Sequence, residues 1–131
     1  MSISALNHYN ISAPASLLEQ VRDFYCNVMG LHCGPRPAFR SKGYWLYADN
    51  HDVIHLTETT VQADSPGNEP KTTGYFNHIA FTCNNLEETM KHLDALRINY
   101  QKYSIQDLNQ VQLFFTDPAG ISVELNFTNG R

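Results

Sequence analysis

Asp117-Pro118-Ala119-Gly120-Ile121-Ser122-Val123-Glu124-Leu125-Asn126 sets a tight turn against a strand that carries a carboxylate at its centre. Side chains alternate along a strand, so Val123 and Leu125 share one face while Ser122, Glu124 and Asn126 share the other. An ionised Glu between apolar neighbours is costly unless it is paired or holds a cation, which directs attention to other ligands in the chain.

Three histidines interrupt short strand-like apolar runs: His8 in Leu6-Asn7-His8-Tyr9-Asn10-Ile11, His55 in Val53-Ile54-His55-Leu56, and His78 in Phe76-Asn77-His78-Ile79-Ala80-Phe81. His8 and His55 are 47 positions apart, and His78 and Glu124 are 46 apart. Asn7-His8 recurs as Asn77-His78 and Leu18-Glu19 as Leu86-Glu87. The chain reads as one module used twice, and two copies facing each other would bring His8, His55, His78 and Glu124 to one point.

The remaining elements follow from periodicity and turn chemistry. A strand is expected over about 5–12. Leu18, Val21, Tyr25 and Val28, widened by Leu17 and Phe24, then predict a helix from Pro14 to Met29 that stops at Gly30. Pro35 and Pro37 restrict Cys33–Arg40 to an edge strand or an extended loop. Strands at Tyr44–Ala48 and Asp52–Glu58 flank a hairpin turn at Asp49-Asn50-His51.

The second module repeats the pattern. It opens with a strand over Phe76–Cys83, then a helix with Asn85 as its cap, Glu88 reaching back in a capping box, and Leu86, Met90, Leu93 and Leu96 as its buried stripe. Strands follow near Tyr100–Ile105, Val111–Thr116 and Ile121–Thr128. His78, Ala80 and Thr82 share the strand face away from the helix, as do Ser122, Glu124 and Asn126. The fold class is therefore α+β: two tandem βαβββ modules forming a curved mixed-sheet cup with the helices outside. One domain spans 1–131, with module one at 4–60, a polar linker at 61–74 and module two at 75–128.

With 131 residues the chain can bury a core without disulfides or structural zinc. Nine Lys and Arg against thirteen Asp and Glu give a net charge of −4, which argues against bulk nucleic-acid or anionic-membrane binding, since these need a positive field. No stretch approaches the roughly 20 apolar residues of a membrane span, and Met1–Ala5 lacks a signal-like pattern, so a cytoplasmic location is expected. Cys26, Cys33 and Cys83 have no CxxC spacing and read as reduced thiols.

The double βαβββ layout, the Asn-His strand starts, Met29-Gly30-Leu31 after the first helix, Val53-Ile54-His55-Leu56, and Phe115-Thr116-Asp117-Pro118-Ala119-Gly120 leading to Glu124 resemble the vicinal oxygen chelate superfamily. That group includes glyoxalase I, extradiol dioxygenases and bleomycin resistance proteins. The resemblance implies four metal-ligand positions, filled here by His8, His55, His78 and Glu124, with Glu124 matching the carboxylate that moves protons. Glyoxalase I enzymes usually carry Glu where this chain has His55. His8, His78 and Glu124 also satisfy the two-His, one-carboxylate iron site of the extradiol enzymes.

Three imidazoles and a carboxylate suit a divalent ion such as Zn, Ni, Co, Mn or Fe and leave positions open for a small substrate with vicinal oxygens. The expected function is a metal-dependent, glyoxalase-like enzyme of isomerase or lyase type, akin to lactoylglutathione lyase. The alternatives are an Fe(II) ring-cleaving dioxygenase and a non-catalytic, ligand-sequestering resistance-type protein. Arg36 and Arg40 are candidates to pair with a substrate carboxylate, against the reading of a solvated loop, and Tyr47 is a candidate for the pocket wall. The resemblance also implies a homodimer.

Overall fold

The computed structural model describes residues 1–2, 5–59, 76 and 78–128. The chain divides into two compact units, Met1–Glu69 and Pro70–Arg131. The linker expected at 61–74 lies outside the described residues, as does Asn77.

The first unit runs β1 (Tyr9–Ala13), α1 (Ala15–Asn27), β2 (His32–Gly34), β3 (Gly43–Ala48) and β4 (His51–Glu58). Its sheet has the order β1-β4-β3-β2, with β1 and β4 parallel and the other neighbours antiparallel. A parallel pair needs a crossover, and α1 begins it directly after β1. Leu18, Val21 and Tyr25 are the buried residues of the helix, at the expected helical spacing. Ile11, Ala13, Leu46, Ile54 and Leu56 are the buried residues of the sheet. Truncating Leu18, 2% exposed, to Ala would cost about 2–5 kcal/mol by loss of contacts and a residual cavity. Gly30 takes φ +77°, open to glycine at little cost, and the Leu31 N–H then returns to the Tyr25 carbonyl at 3.0 Å.

The second unit runs β5 (His78–Cys83), α2 (Leu86–Ala95), β6 (Gln101–Ile105), a 3₁₀ turn (Gln106–Leu108), β7 (Gln110–Thr116) and β8 (Ser122–Thr128). The sheet order β5-β8-β7-β6, with β5 and β8 parallel, repeats that of the first unit. Leu113, Phe115, Val123, Leu125 and Phe127 supply its buried apolar residues, and α2 adds Leu93. Two mixed four-stranded sheets and two helices make the expected α+β, two-module βαβββ fold.

Several local expectations fail. Asn85 is left-handed (φ 61°, ψ 63°) and makes no side-chain capping bond, so the capping box of Asn85 and Glu88 does not form. Glu87 and Glu88 still lie in the first turn, where their charges favour the positive end of the helix. Leu96 follows the last helical residue and is 43% exposed, outside the buried stripe. β1 begins at Tyr9 rather than near residue 5, which leaves His8 just ahead of the strand. The stretch expected as an edge strand or an extended loop over Cys33–Arg40 is mostly loop: the edge strand is only His32–Gly34 and ends before Pro35.

Candidate functional site

The two ladders place the four candidate ligands in equivalent pairs. In the first unit Asn10 of β1 stands opposite His55 of β4, and His8 lies two residues before Asn10. In the second, Ala80 of β5 stands opposite Glu124 of β8, and His78 lies two residues before Ala80. The neighbour on the other side is aromatic in both cases, Trp45 opposite His55 and Phe114 opposite Glu124. The internal repeat is thus one of register as well as of spacing.

In the first unit the His55 ring lies between two others. His8 stacks on it with 3.7 Å between ring centroids and 18° between planes, and Trp45 with 4.1 Å and 5°. Phe39 extends the row, 6.3 Å from Trp45. His8 is exposed, and its Nδ1 is 2.7 Å from Asn7 Oδ1. An amide oxygen only accepts, so Nδ1 donates and Nε2 keeps the lone pair of the neutral ring. His55 Nε2 is 2.6 Å from Asp52 Oδ2. The hydrogen bond from His55, followed by one from its own backbone, holds the Asp52 carboxyl below the usual range.

In the second unit Glu124 is 7% exposed. Its Oε1 lies 3.4 Å from His78 Nε2, and its Oε2 accepts from Gln112 Nε2, also at 3.4 Å. Phe114 meets the His78 ring edge to face, with 6.0 Å between centroids. Phe114 also lines a cavity of about 540 Å³, together with Arg97, Tyr100, Thr116 and Ser122. Asn126, two residues past Glu124, has a buried Oδ1 with no partner among the described residues. Arg97 and Asn126 were not singled out from the sequence as site residues. Only the strand alternation pointed to Asn126, and nothing local marked Arg97.

Glu124 is positioned by the turn before it. Asp117 is 4% exposed, and its Oδ1 accepts from the backbone N–H groups of Ala119 at 2.8 Å and Ile121 at 2.9 Å. The Asp117 N–H donates to the Ile121 carbonyl at 2.9 Å, and Gly120 closes the turn at φ +85°. This fixes where β8 starts, and therefore which face Glu124 takes.

The candidate substrate contacts are spread around the first unit. Arg36 is half-buried, with its guanidinium over the Phe39 ring at 4.9 Å and Nη2 donating to Ser41 Oγ at 3.4 Å. It lines a cavity of about 550 Å³ with Ala15, Leu18 and Glu19 of α1. Arg40 is exposed in the loop before β3. Tyr47 stands opposite Asp52 in the ladder, and its hydroxyl donates to the Pro35 carbonyl at 2.5 Å. Among the described residues no three His, Cys, Asp or Glu side chains form a group able to hold a metal ion. No helix among them is long and apolar enough to cross a membrane.

The family model described as the Glyoxalase/Bleomycin resistance protein/Dioxygenase superfamily matches residues 5–125. A curated relative, Glyoxylase I 4 of Arabidopsis thaliana, is 30% identical over 132 residues, covering 95% of this chain and 71% of the relative. The crystal structure of a putative glyoxalase family protein from Bacillus anthracis superposes with a TM-score of 0.75 at 21% identity, over 98% of each chain. A mutant of the fosfomycin resistance protein FosX from Listeria monocytogenes, complexed with Mn(II) and 1S,2S-dihydroxypropylphosphonic acid, gives 0.68 at 17% identity, over 98% of this chain and 95% of that one. That FosX structure holds a divalent metal and a small molecule on a similar fold. With the paired ladders and a family match over nearly the whole length, the chain belongs to the Glyoxalase/Bleomycin resistance protein/Dioxygenase superfamily.

Proposed function

We propose that the protein is a metal-dependent, glyoxalase-like enzyme that moves a proton between neighbouring carbons of a small substrate with vicinal oxygens. His8, His55, His78 and Glu124 would hold the metal. One observation carries this reading: Glu124 is buried, yet among the described residues each carboxylate oxygen has one polar contact, and both contacts are long at 3.4 Å. A carboxylate offers about four lone-pair sites, and a buried one left this open is costly without a cation. Imidazole and carboxylate are a fitting donor set for a borderline divalent ion.

A metal bound there would supply Lewis-acid stabilisation of negative charge on the substrate's oxygens. The chain's own residues supply the rest. Glu124 takes the proton on one carboxylate oxygen and returns it to the adjacent carbon, a role for which an acceptor with spare lone pairs is suited. Gln112 and His78 hold the carboxylate in place through its two oxygens. Phe114, beside both His78 and Glu124, offers an apolar wall that limits water at the reacting carbons.

The test is a screen of hemithioacetals and 2-oxo thioesters in D₂O with the metal-loaded protein. Wild type should exchange or transfer the proton on the carbon next to the carbonyl. Glu124→Gln should lower that rate at least 100-fold. A Glu124→Gln protein with full metal and full turnover would remove Glu124 as the base. Absorbance from cleaved catechols by the Fe(II)-loaded protein, with no proton transfer, would replace this reading with ring-cleaving dioxygenation.

A further inference from the structure

We infer that Asp52 is a positioning residue for His55, holding its imidazole as the Nε2–H tautomer so that Nδ1 is the nitrogen left for a metal. The consequence for metal binding rests on the function proposed above, whereas the tautomer can be measured without it.

Asp52 and His55 are three residues apart on one strand, which in a regular strand puts them on opposite faces. The ladder is not regular there. Leu46 pairs with Ile54, but the next residue, Tyr47, pairs with Asp52, so Val53 is the extra residue of a β-bulge. Tyr47 shares a face with Trp45, two residues earlier, and Trp45 pairs with His55. The bulge therefore turns Asp52 onto the His55 face, the kind of re-aiming that bulges perform. The β7–β8 ladder just before Glu124 has no such shift, pairing Phe115 with Val123 and Thr116 with Ser122, and so lacks this device.

Chemistry then fixes the roles. An ionised carboxylate only accepts, so across 2.6 Å it is His55 Nε2 that donates, and the lone pair of the neutral ring is left on Nδ1. The His55 side chain is 14% exposed and packed between His8 and Trp45, which opposes a ring flip that would exchange the two nitrogens. A ligating histidine whose other ring N–H goes to a carboxylate is better oriented and more basic, and loss of such a partner typically weakens metal binding about 10–100-fold.

The experiment uses ¹⁵N-labelled full-length protein. Long-range ¹H–¹⁵N spectra of the metal-free form read the His55 tautomer, and competition titration with Zn(II) reads affinity. Wild type should show Nε2–H. Asp52→Ala should show a mixed tautomer and a Zn(II) Kd raised about 10–100-fold. Asp49→Asn removes a charge from the same hairpin at a position with φ 53° that Asn accepts, and should change neither reading. Asp52 is 34% exposed, so its loss leaves the core intact, which the thermal midpoint checks. An Asp52→Ala protein with the wild-type tautomer overturns the inference, as does unchanged Zn(II) affinity. If wild type binds no Zn(II), the function proposed above fails, and the tautomer alone decides the role of Asp52.

Discussion

The imidazole of His55 lies parallel to the indole of Trp45, 4.1 Å between centroids and 5° between planes. Trp45 is the chain's single tryptophan, so all indole emission comes from the ring stacked on this histidine. Zn(II) added to wild type should change the intensity or position of Trp45 emission, and the change should vanish in His55→Ala. Zn(II) binding that leaves the emission untouched would separate His55 from the metal.

Two glycines of the first unit should respond differently to Ala. A Cβ on Gly43 would fall 2.0 Å from the Leu56 carbonyl oxygen, a backbone atom inside the β3–β4 ladder that cannot move alone. A Cβ on Gly34 would meet the Tyr47 ring at 2.7 Å, a side chain able to shift. Gly43→Ala should cost at least about 1–3 kcal/mol, and Gly34→Ala clearly less, in urea unfolding. Equal losses would refute the contrast.

Asp117 should be a stability residue even though it adjoins the ligand strand. Asp117→Ala leaves the N–H groups of Ala119 and Ile121 without their acceptor and should cost about 1–3 kcal/mol. Asp117→Asn, which keeps an acceptor oxygen, should lose less. Chemical denaturation of both variants checks the order.

The three thiols should react in two classes. Cys33 is exposed, while burial is the main cause raising the Cys26 and Cys83 thiols. A raised thiol pKa means less thiolate at a given pH, so labelling of these two begins at higher pH. With Ellman's reagent at pH 8, one thiol should react quickly and the other two slowly, all three reacting fast in denaturant. The fast phase should be absent in Cys33→Ser.

Much of this fold is legible in the sequence because its signals are local. The Leu18, Val21, Tyr25 spacing marks α1, the Ser122/Glu124/Asn126 alternation marks β8, and the repeated Asn-His and Leu-Glu pairs mark the two modules. What escaped depends on partners elsewhere in the chain. The bulge at Val53 exists only in the pairing of β3 with β4, so nothing in Asp52-Val53-Ile54-His55 shows that Asp52 joins the His55 face. Asn85 satisfies the composition of a capping box, but its left-handed backbone turns the side chain from that role. Charge alone marks Arg36 as a candidate substrate contact. Its position against Phe39 and the start of α1 is set by the path of the Pro35–Ser41 loop, which no periodicity describes.

The most direct test of the central claim is elemental analysis of tag-free protein after incubation with Zn, Ni, Co, Mn or Fe(II) and removal of excess ion, for wild type, His55→Ala and Glu124→Ala. The account predicts near-stoichiometric divalent metal in wild type and its loss from both variants. Wild type without metal under every loading condition, or metal retained in both variants, would contradict it.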